Sequence, residues 1–287
     1  MERSFCIGSE WLYYKIYTGV KTADIILLEK LYPIIQELKI ENKIQKWFFI
    51  RYKDPDEHIR IRFYSENAEN ISLVISKLYP ILNTLLKNNT IWKVQTDTYQ
   101  REVERYGENT IEDSETLFWH DSEMIIKYLA LKSTFIKNET QLLFSFLAID
   151  YFLNSFSVNN KDKATLMNEL QTAFKKEFDV DKVLNKELDK QYRKLKPEIK
   201  QLLAKNSDIE NSEIVQIIKE KETEIGNSVK SIKEKVQVPL SSLLNSHIHM
   251  LINRQFTSQQ RKYELIIYDH LYRYYKSINH TNQGLNL

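Results

Sequence analysis

Apolar and polar positions follow two successive patterns along this chain. Up to Gly107, short aromatic and β-branched runs alternate with helical spacing; beyond it, apolar residues recur only three and four apart. SEWLYYKIYTG, residues 9–19, predicts a first strand. Thr22 is placed to cap the helix TADIILLEKLYPIIQEL, with a kink at Pro33. KIQKWFFIRY and HIRIRFY predict a hairpin turning at Lys53 to Glu57, because Pro55 fixes φ and Asp side chains bond their own backbone. ENISLVISKLYPILNTLLKN predicts a second helix, and TIWKVQTDTYQREVERY a fourth strand running out to Tyr106.

The resulting order, β-α-β-β-α-β, is that of a ferredoxin-like split βαβ arrangement. A repeat agrees with it: Lys-Leu-Tyr-Pro-Ile occurs at Lys30 to Ile34 and again at Lys77 to Ile81, each time in the helix between two strands. After Gly107 the pattern predicts helices only: one opening at Ser114 or Asp121, then ETQLLFSFLAIDYFLNSF, then KDKATLMNELQTAFKKEF. Residues 179–255 hold one aromatic, Tyr192, and dense Lys and Glu, as in a long charged helical hairpin with solvated surface around Asn206 to Asn211. Two further helices follow, one opening at Pro239, before a polar tail from Ile278 that is expected to fray. The expectation is therefore an α+β chain: a ferredoxin-like βαββαβ N-terminal part (1–107) and a mostly helical C-terminal part (108–287), together forming one domain.

Composition narrows the function. Forty-one Lys and Arg nearly cancel 39 Asp and Glu over 287 residues, so no global field favours nucleic acid or an anionic membrane. A single cysteine, Cys6, excludes an internal disulfide, and the N-terminus lacks the apolar core of a signal peptide. A cytoplasmic protein is expected. No apolar run approaches the ~18 residues needed for membrane insertion. Nucleotide loops, nucleophile elbows and zinc signatures are missing from the sequence.

The candidate chemistry is local. In HIRIRFY, strand alternation sends His58, Arg60, Arg62 and Tyr64 to one face and Ile59, Ile61 and Phe63 to the other. Helices cover one face, so the arginines look away from them. Trp47 to Ile50 are apolar on both faces, so C-terminal helices are expected to cover part of the second face and leave the arginines in a cleft. Paired arginines suit a carboxylate or phosphate, although a solvated row balanced by nearby acids has the same pattern. TYQREVERYG, residues 98–107, mixes Tyr99, Arg101 and Arg105 with acids and reads equally as a surface ladder. His247 and His249 point about 200° apart on a helix, which argues against a shared metal. His249 and Asn253 share a face beside Arg254, where the histidine suits either a packed core position or acid-base work.

In order and spacing, WLYYKIYTG, WFFIRYKDPDEHIRIRF, YQREVERYG, FWHDSE and HMLINR resemble the elimination domain that forms the C-terminal part of lantibiotic dehydratases, found alone as the thiopeptide-type bacteriocin biosynthesis domain. The resemblance spans the chain. It implies a lyase without a cofactor or metal that expels glutamate from glutamylated Ser or Thr of a ribosomally made precursor peptide, leaving dehydroalanine or dehydrobutyrine. It also implies a separate tRNA-dependent glutamylating protein as partner, with no direct nucleic-acid contact. The sequence leaves oligomeric state undecided, a homodimer included. By the same resemblance Arg60, Arg62 and Arg101 bind the glutamyl carboxylate and the enolate, and His249 transfers the proton. His58, Tyr99, Arg105, Asn253 and Arg254 contact substrate, and the assignment between Arg101 and Arg105 is open. Enzymes of the same fold that build the thiopeptide pyridine by cycloaddition are the main alternative, followed by a non-catalytic precursor-binding protein. An RNA-recognition module fits poorly, because EHIRIRFY lacks the required glycine.

Overall fold

A computed structural model describes residues 1–135, 140–204 and 212–284. They divide into two compact units: residues 1–133 with 230–258, and 134–229 with 259–287.

In the first unit, β1 (Ser4–Phe5), β2 (Trp11–Thr18), β3 (Lys46–Lys53), β4 (Glu57–Tyr64), β5 (Ile91–Thr96) and β6 (Tyr99–Gln100) form two antiparallel sheets. The larger runs β3-β4-β2-β5, and the smaller is a β1-β6 ribbon. The expected fourth strand therefore ends at Thr96, and the chain then turns to pair with its own N-terminus, Phe5 opposite Tyr99. The helices between the strands are α1 (Val20–Ile25) and α2 (Tyr32–Ile40), joined by a π-helical turn at Ile26–Leu31, and α3 (Asn70–Lys87). Gly19, rather than Thr22, stands at the N-cap, its carbonyl accepting from Thr22 and Ala23 N–H. The π-helical turn immediately precedes Pro33, whose ring cannot donate to the preceding turn and would crowd its carbonyl.

Strand alternation decides the two sheet faces. Ile59, Ile61 and Phe63 are fully buried, opposite Ile16, Tyr14 and Leu12 on β2 and Arg51, Phe49 and Trp47 on β3. The other face carries Tyr13, Lys15 and Tyr17 beside Arg62, Arg60 and His58.

Past α4 (Val103–Tyr106), Gly107 adopts a φ of 78°, where a Cβ would meet Thr110 Oγ1 at 2.6 Å. This turn launches α5 (Ile111–Leu131), a full turn before Ser114 and well before Asp121. The pattern hid that turn because α5 buries polar residues: Glu115 and Ser122 serve the sheets, and Ser114 meets His247. With α11 (Leu240–Gln255), α5 packs along β3, the open edge of the larger sheet. An edge strand exposes unpaired backbone groups. Here Ser122 Oγ accepts from Phe49 N–H at 3.2 Å, while the Asn253 amide accepts from Arg51 N–H at 2.9 Å and donates to its carbonyl at 2.8 Å. Glu123 gathers donors from Tyr32, Lys39, Trp47 and Trp119. Burial opposes its charge, but the Lys39 ammonium and these hydrogen bonds hold its carboxyl below the usual range. Because both sides of the Asn253 amide are used, Asn253→Ala should lower unfolding free energy by about 1–3 kcal/mol in a urea titration.

The second unit is helical among its described residues. Its centre is α6 (Thr140–Ser155), buried almost all round, as an interior helix must be. Around it lie α7 (Asn160–Glu177), α8 (Lys182–Leu203), α9 (Glu213–Glu224) and α12 (Gln260–Gly284), and α10 (Gly226–Lys235) leads back to the first unit. α8 and α9 each pack on α6 rather than standing out as a charged hairpin. Leu188, Tyr192, Leu195 and Ile199 supply the buried stripe of α8 that the count of charges obscured. The expected solvated turn at Asn206 to Asn211 lies outside the described residues. α12 continues as helix past Ile278, where fraying was expected. The compact units also divide elsewhere than after residue 107, because α5 and α11 are needed to cover the edge of the sheet. Among the described residues, no helix is long and apolar enough to cross a membrane.

Candidate functional site

The cationic row of β4 lies where its alternation puts it. The Arg62 guanidinium sits 4.2 Å from the centre of the Tyr13 ring, 4.9 Å from Tyr99 and 5.2 Å from Phe48. Arg62 is 8% exposed, its Nε has no hydrogen-bond partner, and no carboxylate stands within ion-pair distance among the described residues. Burial pulls its pKa below the ordinary value and the Arg60 charge adds to that, while the Tyr13 and Tyr99 hydroxyls and, more weakly, the Glu102 carboxylate lean the other way. A cation held among aromatic rings without a counter-ion is prepared for an anionic ligand.

Arg60 is anchored differently. Its guanidinium lies 3.4 Å from the centre of the Tyr52 ring, and its Nε donates to His58 Nε2 at 3.1 Å. His58 Nδ1 contacts the Asp56 carbonyl at 2.8 Å, so this ring is neutral with its proton on Nδ1. Burial holds the His58 pKa below the ordinary histidine value, the Asp56 carbonyl opposing and the Arg60 charge reinforcing that shift. The unfolded chain therefore takes up this proton first as the pH falls. The stabilising contribution is present above about pH 6.5 and is lost on acidification through the lower folded value. Thermal melts should accordingly fall more steeply below about pH 6.5 in the wild type than in His58→Gln, with a difference bounded by ~1.4 kcal/mol per pH unit.

Arg101 and Arg105, open alternatives in the sequence, separate cleanly. Arg101 is buried and turned onto the protein: Nε and Nη2 donate to the two Glu115 oxygens at 2.8 Å, and Nη1 donates to Glu112 and to the Glu2 carbonyl at 3.1 Å. Glu115 Oε1 also accepts from Tyr99 Oη at 2.8 Å. Arg101 thus fixes Tyr99, the ring beside Arg62, and spends four of its five donors on the protein. Arg105 is exposed and paired with Glu102 at 3.0 Å.

On α11, Met250 and Arg254 lie one turn apart and line a cleft with Arg62, Tyr99, Tyr106 and Phe118, about 420 Å³ including its mouth. His249 is half-buried on the same helix beside Met250 but is not among the residues lining this cleft. Asn253 is spent on the edge of β3, as described. A second, more polar concavity shares Arg62 and adds Tyr13, Lys15, Arg60, Asp97 and Glu102. There Lys15 is neutralised by Asp97, which leaves Arg60 and Arg62 as its cations without a carboxylate. Sequence reasoning missed Tyr13, Tyr52 and Glu115. The first two follow from pairing the alternations of β2 and β3 with that of β4, whereas no local signal marks Glu115. No group of three His, Cys, Asp or Glu side chains is placed to hold a metal ion among the described residues.

The family described as lantibiotic biosynthesis dehydratase, C-terminal, matches residues 11–275. Nisin biosynthesis protein NisB of Lactococcus lactis subsp. lactis is 30% identical over 230 residues, 73% of this chain and 22% of its own length. Epidermin biosynthesis protein EpiB of Staphylococcus epidermidis is 26% identical over 277 residues, 91% and 26% respectively. The chain thus spans about a quarter of the length of these curated relatives. Among solved structures, the tRNA-dependent lantibiotic dehydratase MibB from Microbispora sp. 107891 superposes with a TM-score of 0.74 at 19% identity, covering 92% of this chain and 28% of that one. The pyridine synthase TbtD from thiomuracin biosynthesis gives 0.66 at 10% identity, covering 93% and 99%.

Proposed function

The chain belongs to the lantibiotic biosynthesis dehydratase C-terminal family, and on that premise we propose that it eliminates glutamate from glutamylated Ser or Thr of a precursor peptide. Elimination leaves dehydroalanine or dehydrobutyrine. The observation that carries this reading is Arg62: buried, ringed by aromatics and without a carboxylate of its own. A glutamate esterified through one carboxyl keeps the other free, and its departure generates a second, so the substrate supplies the anion that the protein leaves out. Arg60, held flat on Tyr52, adds a cation two residues along the strand. His249, on α11 although not among the residues lining the cleft, is assigned the proton transfer from the resemblance of its HMLINR segment to the family. Arg101 acts through Glu115 and Tyr99 rather than on substrate. The element order and the β3-β4-β2-β5 sheet support a ferredoxin-like reading of the N-terminal part that presents these residues. A tRNA-dependent glutamylating protein is the partner this chemistry asks for.

A second reading is pyridine formation from two dehydroalanines, the chemistry named for TbtD, whose fold this chain shares. One experiment decides between them. The protein is mixed with a synthetic peptide glutamylated on Ser, and separately with a peptide that carries two dehydroalanines. Glutamate release and a dehydroalanine product from the first, read by mass spectrometry, support elimination. An inert first substrate with cyclisation of the second overturns it, and binding of both peptides without turnover assigns a non-catalytic peptide-binding role.

A further inference from the structure

Ester elimination develops charge on two separate oxygens. One departs with glutamate. The other is the carbonyl oxygen of the reacting residue, which becomes an enolate when Cα loses its proton. The sheet cations Arg60 and Arg62 lie together on one strand face and suit the first. Arg254 approaches the same cleft from α11. It is 1% exposed, its own carbonyl is tied to Arg51 Nε at 2.9 Å, and its guanidinium lies 5.3 Å from the centre of the Phe118 ring. Neither Nε nor Nη1 has a hydrogen-bond partner, and the Asp121 carboxylate stands 3.7 Å from Nη1, beyond hydrogen-bond reach. Burial opposes its charge, Asp121 offsets part of that cost, and the neighbouring Arg62 cation adds to it. Two buried guanidiniums therefore border one cleft and carry free donors.

We infer that Arg254 is a catalytic residue that binds the carbonyl oxygen of the reacting residue and stabilises its enolate, while Arg62 holds the departing carboxylate. The inference rests on the elimination reading above. The base removes the Cα proton, and the bonding pair moves onto the carbonyl oxygen at Arg254. Collapse of the enolate forms the Cα–Cβ double bond and breaks the Cβ–O bond. The pair leaves on the glutamate carboxylate at Arg62, and the proton passes from the base to solvent.

Cα exchange measured in D₂O on the glutamylated peptide separates the two arginines. Wild type should release glutamate. Arg62→Gln should retain deuterium uptake at Cα while glutamate release falls, because enolate formation precedes departure. Arg254→Gln should lose uptake and release together, each by roughly a hundredfold. Arg254→Lys keeps a cation beside Asp121, and with it the fold, and should lose both together to a smaller extent. Melting curves check that each variant is folded. If uptake survives undiminished in Arg254→Gln, or uptake and release part company in Arg254→Lys, while the wild type eliminates glutamate, the Arg254 assignment is overturned and the elimination reading stands. A wild-type protein that neither exchanges nor releases overturns both.

Discussion

Arg62→Ala should lower turnover of the glutamylated peptide by roughly a hundredfold or more, since a charge-assisted contact to a developing anion is worth on the order of 3 kcal/mol. The side chain has no structural ion pair to lose. Its replacement removes a buried, uncompensated cation from among the Tyr13, Phe48 and Tyr99 rings, so the melting midpoint should hold or rise while the rate collapses. Opposite movement of the two measurements is the signature of a residue kept for function at a cost in stability. A variant that loses rate and midpoint together would mark Arg62 as structural. Arg62→Lys should recover only part of the rate, because an ammonium keeps the charge but not the planar fork that meets a carboxylate at two points.

Glu115→Ala should produce the reverse result. Its carboxylate takes both Arg101 nitrogens and the Tyr99 hydroxyl at 2.8 Å, all of them buried. Removing it strands a buried guanidinium and a phenol, which by analogy with broken buried pairs lowers unfolding free energy by about 3–5 kcal/mol. Tyr99→Phe keeps the ring beside Arg62 and gives up one hydrogen bond, for about 1 kcal/mol. Chemical denaturation of the two variants in parallel checks this ordering; equal losses would show that the Tyr99 tether, not the Arg101 pair, holds the ribbon. Arg105→Ala should leave the midpoint where it is, because that side chain is exposed and meets only Glu102.

Those contrasts show where a linear sequence stops being informative. Alternation in HIRIRFY is a local property: the pleat sends neighbours to opposite faces, so Arg60 and Arg62 could be placed together, and opposite the core, from residue order alone. The same holds for the hairpin around Pro55, for the two Lys-Leu-Tyr-Pro-Ile helices and for the interior character of α6, each of which depends on spacing within one element. Composition likewise excluded a duplex-binding field and an internal disulfide without reference to any contact.

What each polar side chain does was decided only when distant segments met. Arg101 and Arg105 are four residues apart in one segment and looked interchangeable, yet the β1-β6 ribbon carries Arg101 inward onto Glu115 and leaves Arg105 in solvent. Asn253 resembled a substrate contact because its helix face carries His249, but the unpaired backbone of β3, some 200 residues earlier, claims both ends of its amide. Arg62 has the opposite history, for nothing in its neighbourhood in the sequence says that no acid will reach it. Pattern follows from local stereochemistry, whereas the partner of a buried charge is a global outcome, set by which of the chain's 39 acids the packing delivers to within a few ångströms.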